Sequence, residues 1–264
     1  MAQVTEGQKY QMESISDIKK KIQAADEDLL PLILSEYRQD TREGVRRLVT
    51  SAERRMAAAE AEKKRIYDMC GFERKYEEEG YICGIDEVGR GPLAGPVMAG
   101  AVVLPAGCMI PYVNDSKQVS EKKREELYDV IMEKAVSVGI GSVSWERIDE
   151  INILQATYEA MRQAVSRLTV KPAVLLIDAV HIPDLPVKQV SIIKGDCKSM
   201  SIAAASIVAK VTRDRLMAEY AEKWPEYGFD KNKGYGSEGH IEALRKYGPC
   251  PIHRNSFIGN FTVQ

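Results

Sequence analysis

The sequence has no C-x-x-C pair, no run of ~18 consecutive apolar residues and no large excess of charge of either sign. Its 5 cysteines are an odd number, which fits a reducing cytoplasm better than a disulfide-linked secreted protein. The amino terminus lacks a basic start followed by an apolar segment, so we expect neither export nor membrane insertion. The 37 Lys and Arg residues nearly balance 39 Asp and Glu residues, so only a local basic patch would hold a polyanion.

Residues 14–68 carry apolar residues at helical spacing, followed by a charged, alanine-rich run, and this pattern predicts two or three helices. Alternating Glu, Lys and Arg residues in that run are typical of a solvated helix face. From Tyr81 onward, short apolar segments alternate with Gly and Pro breaks. We therefore expect a helical N-terminal extension over residues 1–74 and a second domain over residues 75–264.

The second domain begins with two apolar segments, 81–88 and 97–104, which a glycine-rich turn joins into a predicted hairpin. Ser120 is typical of an N-cap and predicts a helix to about Lys134. Antiparallel neighbours followed by strands that alternate with helices favour an α/β fold with a central mixed sheet flanked by helices. Further strands are expected at 138–144, 173–177 and 187–193, helices at 152–168, 201–224 and 238–247, a Gly/Lys loop at 231–236, and an irregular tail.

The first apolar segment ends in two adjacent acids, Asp86 and Glu87, and runs directly into Gly89-Arg90-Gly91-Pro92. Adjacent carboxylates resist ionising together, so this strand end needs a compensating cation, for which a hard metal ion is the natural candidate. Neighbours on a regular strand face opposite sides, so both acids reach one site only if the chain bends between or just after them. The glycines expose backbone amides beside a positive charge, which suits a phosphate or a sugar hydroxyl.

Two further acids follow predicted strands, Asp178 after residues 173–177 and Asp196 after residues 187–193. Each has a simpler interpretation, because Asp178 is also typical of a turn and Asp196 of a helix N-cap. Our hypothesis is that the three strand ends converge on one edge of the sheet. Oxygen ligands alone favour Mg²⁺ or Mn²⁺ over zinc. The histidines are too far apart in sequence to predict a zinc site, and we expect surface or structural roles for them: His181, His240 and His253.

A set of short motifs extends from about Tyr81 to the end of the chain, and its members and their order resemble the bacterial ribonucleases HII. A lone Asp-Glu pair would be a weak signal, but the ordered set is specific. The segment before Glu73 lies outside the family's common core and is similar to an extension found in some Gram-positive members. The motifs are Gly84-Ile85-Asp86-Glu87-Val88-Gly89-Arg90-Gly91-Pro92, Asn114-Asp115-Ser116-Lys117, Ile177-Asp178, Gly195-Asp196, the run from Ser201 to Asp214, and Lys233-Gly234-Tyr235-Gly236-Ser237.

The resemblance implies a ribonuclease H fold and an endonuclease for the RNA strand of RNA-DNA hybrids. It also implies cleavage on the 5' side of ribonucleotides embedded in duplex DNA, leaving 3'-hydroxyl and 5'-phosphate ends. Two divalent ions, Mg²⁺ or Mn²⁺, would ready a water for in-line attack and neutralise the leaving oxygen. The implied catalytic and metal-binding acids are Asp86, Glu87, Asp178 and Asp196.

The resemblance also implies how substrate is selected. Gly89, Arg90 and Gly91 match the family element that senses the 2'-hydroxyl, the group that distinguishes RNA from DNA. Tyr235 matches the tyrosine that packs on the sugar of the following deoxynucleotide, although a loop aromatic closing the core is the simpler interpretation. Basic residues that are candidates for phosphate contacts, or else ordinary surface residues, are Lys117, Lys198, Lys210 and Arg213.

Two other functions stay open at this stage. A binding module that kept the fold but lost catalysis would normally lack one of the acids, and all four are present. A ribonuclease HIII or a transposase-like nuclease would differ in substrate, and the Gly-Arg-Gly element and the lack of an obvious further binding platform disfavour it. We expect a cytoplasmic monomer whose partners are RNA-DNA hybrids or DNA duplexes containing ribonucleotides.

Overall fold

The structure is a computed structural model that describes residues 13–261, and the chain divides into two compact units, 1–64 and 65–264. The first unit contains α1 (Ile15–Ala24), α2 (Leu30–Tyr37) and α3 (Glu43–Met69) as far as Lys64. Three helices were within the expected range. Their shared interior consists of buried apolar side chains at helical spacing, namely Ile18, Ile22, Leu30, Leu34, Val45, Val49 and Ala52.

The second unit is built around five strands, and the expected mixed sheet with flanking helices is confirmed. The strand order is β3-β2-β1-β4-β5, with antiparallel pairing among β1, β2 and β3 and parallel pairing among β1, β4 and β5. The elements that follow α3 are α4 (Gly71–Tyr76), β1 (Ile82–Val88), β2 (Val97–Val103), α5 (Glu121–Lys134), β3 (Ser137–Val143), α6 (Trp145–Ser166), β4 (Val174–Asp178), β5 (Lys188–Ile192), α7 (Met200–Lys223), α8 (Phe229–Asn232), α9 (Glu238–Tyr247) and α10 (Asn255–Ile258).

Two glycines in the sheet allow α7 to lie directly on β1 and β2. A Cβ atom at Gly84 would lie 2.0 Å from the backbone carbon of Ser201, and one at Gly100 would lie 2.6 Å from the carbonyl oxygen of Ala205. Any larger residue at these positions would push the helix away. The other face of the sheet carries Cys83, Ile85 and Ile177, which pack with the apolar residues of α6.

The structure corrects several expected element boundaries. The helix expected from Asn152 is the second part of α6, which is interrupted at Asn152, and the first part, from Trp145 with Ser144 as its N-cap, was not expected. The expected start was a genuine local signal, because Asn152 has a left-handed backbone (φ 66°) and its side chain accepts hydrogen bonds from the amides of Leu154 and Gln155. The Gly/Lys loop begins later than expected, since α8 extends to Asn232, and the expected irregular tail contains α10. Among residues 13–261, no helix is both long and apolar enough to span a bilayer.

Candidate active site

Asp86 lies on the face of β1 that α7 covers. It is only 7% exposed and pairs across the sheet with Gly100. Burial raises the pKa of Asp86 well above its usual range, and the negative charges of Glu87 and Asp178 raise it further, while a hydrogen bond from the Ser206 side chain opposes the change. The carboxylate therefore belongs to a cluster of like charges.

Glu87 and Asp178 extend this cluster to both faces of the sheet end. Pairing of β1 with β2 stays regular through Val88, so Glu87 points away from Asp86, and the chain turns only after the strand. Burial raises the pKa of Glu87, the Arg90 guanidinium 3.3 Å away lowers it, and the charge of Asp178 raises it. Ile85 in β1 is in register with Ile177 in β4, so Asp178, the last residue of β4, lies level with Asp86.

Asp196 lies in a 3₁₀ turn, Gly195–Cys197, which is tied to the end of β4 because Asp178 Oδ1 accepts a hydrogen bond from the Gly195 amide at 2.8 Å. The N-cap interpretation of Asp196 is wrong, since the Ser199 side chain caps α7 by accepting from the Ile202 amide. Burial raises the pKa of Asp196, and the charges of Asp115 and Asp178 add to this effect. Asp196 therefore lies within electrostatic reach of the Asp178 carboxylate.

The donor chemistry of this sheet edge fits a hard divalent ion. The acids supply only oxygen ligands, and the cluster carries unbalanced negative charge, as Mg²⁺ and Mn²⁺ sites do. Within residues 13–261, one set of three side chains has ligand atoms all within 4.8 Å of one another, namely Asp115, Asp196 and Cys197. The four predicted acids do not form such a set. Their carboxylates shift one another's pKa values through their charges, as Asp178 does for Asp86, Glu87 and Asp196.

The Gly-Arg-Gly loop is held by two buried arginines. Arg254 is 0% exposed and donates hydrogen bonds to the carbonyl oxygens of Gly89 (2.6 Å), Arg90 (3.0 Å) and Gly95 (2.8 and 3.0 Å). Arg213, also 0% exposed, donates to the carbonyl oxygens of Pro96, Ala94 and Lys233. The phosphate contact considered for Arg213 is therefore wrong, because its guanidinium is buried and bonded to carbonyls of the segment after the Gly-Arg-Gly loop and of Lys233.

Tyr235 lies beside this loop. A Cβ atom at Gly91 would lie 3.7 Å from the Tyr235 ring, and the Leu93 amide donates to the Gly234 carbonyl at 2.8 Å. The side chain is 43% exposed, so the alternative interpretation of Tyr235 as an aromatic that closes the core is wrong. The loop and the ring together form one exposed face.

The three candidate lysines differ in exposure and in the carboxylates near them. Partial burial lowers the pKa of the exposed Lys117, but the charges of Asp115, Asp86 and Asp196 outweigh it and raise the pKa overall, so its ammonium lies near the acids. Lys210 forms an ion pair with Asp214 at 2.7 Å and is largely buried. Lys198 is exposed. Of the three, Lys117 is the one that the structure brings to the acid cluster.

This fold, a mixed five-stranded sheet with helices on both faces, is shared with solved nucleases of the ribonuclease H class. Ribonuclease H2 from Pyrococcus horikoshii superposes with a TM-score of 0.55 at 28% identity, covering 67% of this chain and 93% of that one. Ribonuclease HII of Archaeoglobus fulgidus, solved in a complex with PCNA, superposes with a TM-score of 0.57 at 27% identity, covering 69% and 97%.

The chain belongs to the ribonuclease HII family. The Ribonuclease HII family model matches residues 83–260, and the Ribonuclease HII N-terminal domain model matches residues 14–77. Ribonuclease HII of Lachnoclostridium phytofermentans is 60% identical over 248 residues, which cover 94% of this chain and 98% of that relative. Ribonuclease HII of Acetivibrio thermocellus is 48% identical over 252 residues, covering 95% and 98%. The chain is therefore an endoribonuclease for the RNA strand of RNA-DNA hybrids, with the divalent-metal dependence of its family.

Sequence reasoning missed several residues that shape the site. Arg254 was not singled out, because a lone arginine in the C-terminal tail gives no sign that it is buried. Asp115 and Ser206 belong to recognised motifs, but nothing in the sequence indicates that they reach Asp196 and Asp86. Only the folded structure shows that Ser206 lies beside the motif that contains Asp115, with its hydroxyl oxygen 3.0 Å from that of Ser116.

Proposed function

We propose that this chain cleaves on the 5' side of ribonucleotides embedded in duplex DNA, as well as within the RNA strand of hybrids, and leaves 3'-hydroxyl and 5'-phosphate ends. The observation that supports this most is the proximity of two features: the acid cluster at the end of β1 runs directly into the loop that the Tyr235 ring contacts. One surface thus offers both a cation site and a sugar-sensing loop. We also propose that the protein acts as a monomer.

In this proposal, Asp86, Glu87, Asp178 and Asp196 hold two divalent ions, Mg²⁺ or Mn²⁺. When bound, such ions supply the positive charge that activates a water and stabilises the leaving 3' oxygen. The protein supplies the position: regular pairing fixes Asp86 in β1, and the Gly195 amide fixes the Asp178 carboxylate. In the same proposal Lys117, whose ammonium lies close to these acids, contacts the backbone phosphate of the substrate.

Selection of the ribonucleotide rests on the Gly89-Arg90-Gly91 backbone and Tyr235. The backbone of the loop is fixed because Arg254 binds the carbonyls of Gly89 and Arg90 from inside, so the outer backbone groups are available to bond the 2'-hydroxyl. The Tyr235 ring beside Gly91 packs on the sugar of the next nucleotide, where a deoxyribose fits and an extra hydroxyl does not.

The test is cleavage of three end-labelled duplexes: one with a single ribonucleotide, one full RNA-DNA hybrid and one of DNA alone, each with Mg²⁺, Mn²⁺ or EDTA. We expect cleavage of the first two with metal and none of the third. Asp86→Asn should lower kcat by about a thousandfold or more while duplex binding changes little, because the lost charge holds cations rather than nucleic acid. Extension of the product by a DNA polymerase checks for the 3'-hydroxyl.

Asp129→Asn is the matched control, since it neutralises an exposed carboxylate on α5. It should cleave as the unchanged protein does. Retained turnover in Asp86→Asn, or cleavage of the hybrid with no cleavage at the single ribonucleotide, would contradict the corresponding part of the proposal.

A further inference from the structure

Two histidines form a direct contact in the core below the Tyr235 loop. His240 in α9 is 0% exposed and His253 is 2% exposed, and their Nε2 atoms lie 2.9 Å apart. The other nitrogen of His240, Nδ1, lies 2.8 Å from the Tyr235 carbonyl oxygen. The pair therefore connects the interior of the unit to the backbone of the proposed sugar-contacting residue.

The hydrogen bonds assign the tautomer of each ring. The Cys250 amide can only donate, and it lies 2.9 Å from His253 Nδ1, so Nδ1 accepts and the proton of His253 is on Nε2. His253 Nδ1 also lies 3.2 Å from the Cys250 carbonyl, but that oxygen already accepts from the His253 amide at 3.1 Å. His253 Nε2 therefore donates to His240 Nε2, and the proton of His240 is on Nδ1 and points at Tyr235.

The surroundings keep both rings neutral. Tyr227 and Phe229 pack against the two imidazoles, with ring centroids 4.9 Å apart for Tyr227 and His253 and 5.3 Å apart for Phe229 and His240. Burial lowers the pKa of both histidines, and burial together with the neighbouring imidazole lowers that of His253 to about 4. A second proton on either ring would place two donors against each other and break the chain of hydrogen bonds.

The Tyr235 backbone has few other supports. Its carbonyl accepts one further hydrogen bond, from the Ser237 amide at 2.8 Å, and its amide donates to the Asn232 carbonyl at 2.9 Å. Both of these are local turn contacts within the same loop. The bond from His240 is the one that ties the Tyr235 carbonyl to the core, because its donor is in turn fixed by His253 and the Cys250 backbone.

We propose that His240 and His253 are positioning residues that hold Tyr235 against the Gly-Arg-Gly loop through a directed chain of hydrogen bonds, and so set the preference for a deoxynucleotide after the ribonucleotide. This rests on the proposed function of Tyr235. The histidines touch no substrate, so they act on specificity through the tyrosine backbone and not on the chemical step.

The test uses the full chain and compares kcat/KM for a duplex with a single ribonucleotide with kcat/KM for a full hybrid. His240→Leu removes the donor to Tyr235 and should lower this ratio about tenfold, as expected for the loss of one buried hydrogen bond. His240→Asn places an amide donor near the position of Nδ1 and should restore most of the ratio. The inference is overturned if His240→Leu keeps the ratio of the unchanged protein.

Controls separate positioning from loss of stability. Tyr227→Phe removes a hydrogen bond to the Gly248 carbonyl (2.7 Å) in the same cluster but leaves the bond to Tyr235 intact, so its ratio should not change. In a Tyr235→Ala background, His240→Leu should have no further effect on the ratio. If Tyr235→Ala alone leaves the ratio unchanged, the proposed function of Tyr235 fails. If it lowers the ratio and His240→Leu does not, the positioning role fails.

A measurement on the unchanged protein covers the case in which His240→Leu does not fold. Imidazole ¹⁵N chemical shifts identify which ring nitrogen carries the proton. We expect His240 protonated on Nδ1 and His253 on Nε2, with both neutral at pH 7.5. The opposite tautomer on either ring would overturn the inference, because His240 would then have no proton to donate to Tyr235.

Discussion

Asp86 is buried under α7, and the penalty of burial and the charges of Glu87 and Asp178 outweigh the hydrogen bonds that favour its carboxylate. A residue chosen for stability at this position would be neutral, as the surrounding core residues are. Its pKa is raised, so the folded protein favours the protonated form. Such a residue contributes stability only below its unfolded pKa, near 4, and this contribution is lost as the pH rises through the higher folded value. At neutral pH the carboxylate therefore destabilises the metal-free protein.

Asp86→Asn should consequently be more stable than the unchanged chain in EDTA at pH 7.5, while it loses activity. We expect the midpoint of thermal unfolding to rise by roughly 2–4 °C, which corresponds to about 1 kcal/mol for a unit of this size. Differential scanning calorimetry checks this. Asp129→Asn, on the exposed face of α5, is the control, and its midpoint of thermal unfolding should equal that of the unchanged chain. A lower midpoint for Asp86→Asn would show that the charge is compensated inside the fold.

The raised pKa values of Asp86, Glu87 and Asp196 also predict how metal binding depends on pH. Protons on these carboxyls must leave before a cation binds, so the affinity for Mn²⁺ should rise with pH until the carboxyls are ionised, and binding below that pH should release protons. Isothermal titration in buffers of different ionisation enthalpy measures the number released. Asp86→Asn should release fewer protons, and the same heat in every buffer between pH 5 and 7 would contradict the prediction.

At the scale of elements, the contact between α7 and the sheet decides where the acids lie. α7 carries Ser206, the partner of Asp86, and its N-terminus follows the turn that contains Asp196. The helix reaches these positions because Gly84 and Gly100 leave no side chain beneath it. The packing of one helix on two glycines therefore fixes both ends of the acid cluster.

Gly84→Ala should destabilise the second unit by about 3 kcal/mol or more, because its Cβ would overlap the α7 backbone rather than a flexible side chain. Gly239→Ala is the matched control: a Cβ there meets nothing within 4 Å, and its position in α9 should make alanine stabilising by ~0.4–1 kcal/mol. Urea denaturation measures both. Equal stabilities for the two variants would mean that α7 shifts freely.

The elements were predictable from sequence where a local signal marked them. Ser120 begins α5 as its cap, the apolar run 173–177 forms most of β4, and α9 occupies the expected range. The second part of α6 begins at Asn152 as predicted, whereas the first part, which Ser144 caps, was missed. Local patterns give elements, while their continuation depends on packing.

The candidate site was predictable only as far as motifs carry it. Asp86, Glu87, Asp178 and Asp196 are conspicuous because each follows an apolar strand or joins one. Arg254 and the histidine pair were not predictable as parts of the site, because their partners are backbone carbonyls of loops distant in sequence. Every residue type offers the same backbone carbonyl, so the sequence does not identify such a partner. Neither the spacing of His240 and His253 nor their residue type therefore indicated this role.

For the whole molecule, the division between an extension over residues 1–74 and a catalytic domain over 75–264 stays a prediction. The compact units divide after Lys64, which leaves residues 65–74 in the second unit. There, Ile66, Met69 and Cys70 are buried in the core cluster that includes α5 and α7 residues. Glu73 accepts hydrogen bonds from the Ser199 and Ser201 hydroxyls and the Ser201 amide at the start of α7.

Two shortened chains test where the catalytic part begins. A chain starting at Arg65 keeps these core residues and Glu73, so it should fold and cleave a short hybrid. A chain starting at Lys75 loses three buried apolar side chains and a carboxylate at a helix start, and its free energy of unfolding should be lower by about 4 kcal/mol or more. Denaturation by urea compares them, and Glu73→Gln in the longer chain measures the share of the carboxylate. If both chains are equally stable, residues 65–74 contribute nothing to the fold that holds the acids.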